Sequence, residues 1–135
     1  MMAHSLYGLG KQMILSAAIN LPADTVHAVL VSTAYAPNLA TDEFHSAINA
    51  YILGVAVAMG GKSVALGVFD ANDVTFSAVA GGSTALGVAL LKWTGVSGTS
   101  PLLALIDTIT GFPLATNGGD IQIVFDNGPY KIFSL

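Results

Sequence analysis

The stretch MGGKSVALGVFDANDVTFSAV, Met59 to Val79, holds two fragments that each suggest a ligand and decide the fold when they are refused one. GGKS matches the end of a phosphate-binding loop. Such a loop needs a further glycine five positions before Gly61 and a helix after the serine, so that backbone N–H groups converge on phosphate. That position is Ala56, and Ser63 runs on into VALGVF, which reads as a strand. DAND matches the start of a calcium loop, which wants oxygen ligands at positions 1, 3 and 5, glycine at 6 and glutamate at 12. Asp70 and Asn72 fit positions 1 and 3, but positions 5 and 6 are Val74 and Thr75. Asp70, Asn72 and Asp73 are therefore the residues a metal would have to use. As Asx-type turn residues they need no metal. The stretch reads as two turns punctuating the strands Ser63 to Phe69 and Val74 to Val79.

The same grammar extends outward. Thr25 to Ser32 is a valine-rich strand with Val26, Ala28 and Leu30 on one face and His27, Val29 and Val31 on the other. Further strands are expected at Tyr51 to Ala58, Ala85 to Trp93, Leu102 to Asp107, Asp120 to Phe125 and Tyr130 to Ser134. Gly, Asn, Asp and Pro clusters separate them. Two short helices complete the reading: one in an N-terminal arm spanning residues 1–20, and one near residues 41–49, where Thr41 would cap and Asp42 and Glu43 would occupy the first turn. The expected fold is a single all-β domain over residues 1–135, an antiparallel β-sandwich of jelly-roll or immunoglobulin-like type. LGVALL, Leu86 to Leu91, is apolar on both faces, and a two-layer sandwich covers one. The second face is expected to need a helix or a neighbouring subunit.

Composition narrows the function. Only 9% of residues are charged, with four lysines, no arginine, eight acids and no cysteine, against about 25% charged in ordinary domains. Disulfides and thiolate metal sites are thereby excluded. Without a basic cluster a nucleic-acid surface is not expected. Mean hydropathy is +0.71, yet no apolar run approaches the ~20 residues of a membrane span, and no secretion signal stands out. A folded chain of this mass exposes roughly 6,600 Å². So few charges leave apolar patches of the kind that contact other proteins.

Catalytic constellations are not evident. His4, His27 and His45 lack zinc-ligand spacing. Gly81-Gly82-Ser83-Thr84-Ala85 and Gly95-Val96-Ser97-Gly98 each miss the G-x-S-x-G pattern. Trp93, Phe112 and Phe125 read as core or interface anchors. The chain is expected to be no enzyme and to hold no cofactor. Leu6, Tyr7 and Leu9 of the arm are the expected interface, with coverage of the domain's own open face as the alternative.

Three segments carry a resemblance: HAVLVSTAYAPNLATDEFHSAI (His27 to Ile48), GVFDANDVTFSAV (Gly67 to Val79) and ALLKWTGVSGTSPLLALIDTITGFPLATNGGDIQIVFDNGPYKIFSL (Ala89 to Leu135). Together they resemble a family of small virion structural proteins of tailed bacteriophages, from about Thr25 onward. Phe125 stands where that family carries tryptophan. The resemblance implies a head decoration or cement protein that binds the major capsid protein from outside, on virions assembled in the host cytoplasm. It also implies self-association, with trimers natural at local threefold positions. A tail, neck or fibre-associated module, binding the host surface, is the other role it allows.

Overall fold

The computed structural model describes residues 3–109, 111–125 and 132–134. The chain runs through β1 (Ala3–Leu6), α1 (Gly8–Leu15), β2 (Val26–Ser32), β3 (Ile52–Ala58), β4 (Ser63–Ala65), β5 (Val68–Asp70), β6 (Val74–Phe76), β7 (Thr84–Lys92), β8 (Leu102–Thr108), β9 (Leu114–Ala115), β10 (Ile121–Ile123) and β11 (Phe133–Ser134). The main sheet has the order β1-β8-β7-β2-β3, with β9 also paired to β7. Two short sheets, β10-β6 and β11-β5-β4, complete the strands, and every pairing is antiparallel. The fold is all-β with a short helix, as the strand grammar indicates.

Alternation along β2 sorts its side chains as period-two geometry requires. Val26, Ala28 and Leu30 enter the larger core, where they meet Phe69, Phe76 and Phe133 from the small sheets. Val29 and Val31 enter a second core on the opposite face. β7 behaves alike, with Val88 and Leu90 in the first core and Ala89 and Leu91 in the second. The second face is where the structure departs from expectation. No neighbouring subunit is required to cover it, because Tyr7, Tyr35 and Ile48 of the same chain do so, and Leu39 and Tyr51 pack at their edge.

That covering segment explains a second departure. Residues 41–49 do not form the expected helix; a single 3-10 turn lies within them at His45–Ala47, and another follows at Asn49–Tyr51. Phe44 bridges Pro101, the His45 N–H donates to the Ser100 carbonyl and the Leu102 N–H donates to the Glu43 carbonyl. Backbone pairing to the β8 entry thus takes the donors and acceptors that a helix would need. Asp42 does not sit in a helical first turn but accepts the Asn38 N–H at 3.0 Å, closing the turn that precedes it.

The N-terminus is no free arm either. β1 pairs with β8, and α1 then lies on β8 because Gly10 presents no side chain to the Leu102 carbonyl beneath it. Finally, the expected strand Ser63 to Phe69 is a hairpin. Ala65 pairs with Val68 across a two-residue turn, Leu66-Gly67, with φ of 52° and 79°. Both central residues are left-handed, as a type I′ hairpin turn demands.

Candidate functional site

GGKS and DAND are both engaged in hydrogen bonds within the chain. Asp70 Oδ1 accepts the Ala71 N–H at 2.9 Å, and Asp73 Oδ1 accepts the Phe125 N–H at 2.9 Å, tying the start of β6 to the end of β10. The Asn72 N–H donates to the Gly60 carbonyl. Lys62, the lysine of GGKS, donates its ammonium to the Asp24 carbonyl, and β4 stands where a phosphate loop would place a helix. Among the described residues, no cluster of three or more His, Asp or Glu side chains is arranged to hold a metal.

The residues expected at an interface divide. Tyr7 is fully buried, so it offers nothing to a partner; Leu6 and Leu9 are partly exposed, and Leu6 packs on the larger core. This is the self-covering role that the sequence left as the alternative for the arm. The Tyr7 hydroxyl meets the Tyr35 hydroxyl at 2.8 Å, and Tyr35 donates to Asp42 Oδ2 at 2.6 Å. With Tyr35 donating to the carboxylate, Tyr7 is the donor in the first bond. Burial pushes the Tyr7 phenol up to about 12. Tyr35 is also raised, by burial first and then by the hydrogen bond it donates to Asp42.

Sequence reasoning left the histidines scattered, and the fold gathers two of them. The His27 ring stacks on Trp93 with centroids 5.5 Å apart and planes within 13°, while His45 meets the same indole edge-on at 5.3 Å. His45 Nδ1 lies 2.7 Å from Ser97 Oγ. Burial lowers both imidazole pKa values, and proximity to His45 lowers that of His27 further. The Ser97–His45 pair has the elements of an activated nucleophile, but no carboxylate among the described residues bonds the imidazole to orient it, as a catalytic relay requires. Beside it, the Thr94 N–H donates to Ser100 Oγ at 3.0 Å, and Thr94 Oγ1 meets Thr99 Oγ1 at 2.7 Å. These bonds fold the loop between β7 and β8 onto His45. The arrangement is a polar clasp around a half-buried indole.

Large apolar side chains also reach the surface. Leu15, Val55, Val64, Leu66, Val96 and Val124 are exposed. Charges are sparse and partly consumed internally: Lys92 pairs with Asp24 at 3.2 Å and also donates to the Ala18 carbonyl. An open groove of about 310 Å³ lies between the end of α1 and β4, lined by Ile14, Ala17, Ile19, Asn20, Leu21 and Val64. No residue there is ionisable. The only sequence signal for this groove is the scarcity of charge, because its walls come from segments far apart along the chain. Comparison with protein-family models, with curated proteins and with solved structures gives no match.

Proposed function

We propose that this chain is a non-enzymatic structural protein of a tailed-phage virion, a decoration protein that binds the outside of the major capsid lattice and stabilises the head. The observation that carries the reading is the surface: four lysines and eight acids serve 6409 Å² of accessible area, and large aliphatic side chains stand in the solvent. Apolar area of this kind gains free energy on burial, about 25 cal/mol per Å². On a repeating lattice, many modest contacts add through multivalency. The resemblance of His27 to Ile48, Gly67 to Val79 and Ala89 to Leu135 to phage virion proteins suggests the partner. The test is cosedimentation with expanded shells that lack the chain. Saturable binding at micromolar concentration is expected; a chain left in the supernatant would end the capsid reading.

A tail, neck or fibre-associated module is the second reading, and one observation favours it. Trp93 is half-buried and flanked by imidazoles and hydroxyls, a combination suited to sugar rings through stacking and hydrogen bonding. Specific glycan binding that is lost in Trp93→Ala would favour this role over the head.

A further inference from the structure

The loop between β7 and β8, residues 94–99, is bonded almost entirely to itself. Thr94 Oγ1 meets Thr99 Oγ1 at 2.7 Å, and the Thr99 N–H and the Ser100 hydroxyl both donate to the Val96 carbonyl. The Thr94 N–H donates to Ser100 Oγ at the foot of the loop. Among the described residues, one hydrogen bond ties residues 94–99 to anything beyond this segment and Ser100. It runs between Ser97 Oγ and His45 Nδ1, at 2.7 Å. The rest of the loop stands clear of the domain. Thr94, Gly95, Val96, Gly98 and Thr99 are exposed, and a side chain added at Gly95 or Gly98 would meet nothing within 4 Å.

The foot is held differently. Ser100 is fully buried, its carbonyl accepts the His45 N–H, and the Leu102 N–H donates to the Glu43 carbonyl. Backbone pairing therefore keeps His45 in place whether or not the loop touches its ring. An internally bonded loop on a fixed foot, closed by one bond to an imidazole, has the build of a latched lid.

The latch sits where a positive charge is poorly tolerated. His45 is buried and packs edge-on against Trp93, and His27 stacks on the same indole. No opposite charge offsets either ring. Lys92 precedes Trp93, but its ammonium is paired with Asp24 and the Ala18 carbonyl. Asp42 is engaged by the Tyr35 hydroxyl and the Asn38 N–H, and among the described residues neither it nor Glu43 bonds an imidazole. The charge that acts on His27 is that of His45, of the same sign. Burial lowers both pKa values. Whichever atom donates in the Ser97–His45 bond, an imidazolium beneath the closed loop lacks water that it regains when the loop lifts. The closed form resists protons that an open form binds near 6.5, so closure is favoured above that pH and lost as pH falls below it.

We infer that residues 94–99 form a lid latched to His45 through Ser97, and that acid opens it while the rest of the fold stays intact. The lid is a property of the chain alone and does not rest on the capsid reading.

The chain has no cysteine, so Val96→Cys, at a position 59% exposed, takes a single nitroxide label on the loop. Electron paramagnetic resonance spectra from about pH 8 to about pH 5 report its mobility, with far-UV circular dichroism recorded in parallel. The label is expected to move slowly at the upper end and fast at the lower. The open-to-closed ratio should rise by up to about tenfold per pH unit for each proton taken up, with the dichroism unchanged. Ser97→Ala should leave the label fast throughout, and His45→Gln should abolish the pH dependence. Mobility that ignores pH, a response that survives in His45→Gln, a Ser97→Ala loop as slow as the wild type, or mobility gained only together with loss of the dichroism would each overturn the inference.

Discussion

At the scale of single residues, the Tyr7–Tyr35–Asp42 chain has a direction, and the direction makes its two ends unequal. Tyr7→Phe removes a terminal donor, and Tyr35 still has Asp42, so the cost is about 1 kcal/mol. Tyr35→Phe strands the fully buried Tyr7 hydroxyl and takes a partner from Asp42, so about 2–3 kcal/mol is expected. Urea unfolding of the two variants measures the difference; equal losses would contradict the assigned direction. The histidines give a pH dependence whose sign is set by their lowered values. The unfolded chain binds protons near 6.5 while the folded chain resists them, so stability is full above that pH and declines as pH falls below it. Melting temperature should drop between about pH 7 and pH 5, and His45→Gln should flatten the profile. Asp24 acts in a lower window. Burial alone would raise its carboxyl, but the Asn20 N–H and Lys92 outweigh it and hold it below 3.8. That contribution is lost only as pH falls through the acid range. Little of this is legible in the sequence: the histidines stand 18 positions apart, and they converge only because segment 43–45 pairs with segment 100–102.

Among elements, what the sequence reveals and what it hides separate cleanly. β2 is legible to the face from the side chains that alternate along Val26 to Val31, and β7 is legible as a strand apolar on both sides. Residues 41–49 resemble a helix in sequence because Thr41-Asp42-Glu43 carries a true cap signal, which long-range pairing to β8 overrides. The β4–β5 hairpin is hidden for the opposite reason: leucine at a left-handed turn position carries no turn signal at all. DAND reads as a turn in the sequence but is an irregular connection from β5 to β6 in the structure, and its two acids differ in weight. Asp73→Ala should cost about 1.5–3 kcal/mol, since its carboxylate holds a backbone N–H of another segment. Asp70→Ala, which loses only a bond to its own neighbour, should cost under about 1 kcal/mol. EDTA should leave the melting temperature of the wild type unchanged; a drop would restore a structural metal. Helix α1 depends on a close approach. In Gly10→Ala the added methyl overlaps the Leu102 carbonyl, and a loss of about 2–3 kcal/mol in urea unfolding is expected.

Over the whole molecule, charge scarcity is legible from composition, but where it leaves apolar surface is not. LGVALL suggests a sheet face waiting for a helix or a subunit, and that face is filled by Tyr7, Tyr35 and Ile48 of the same chain. The unmet apolar surface lies elsewhere, at the hairpin tip, the end of α1 and the groove between them. The proposed structural role rests on that surface being covered in the virion. Electron cryomicroscopy of the virion that carries this chain tests it most directly. The account predicts copies in regular array outside the capsid shell, with the Leu66-Gly67 turn inside a contact. Density confined to the tail, or gradient-purified particles that contain none of the chain, would contradict it.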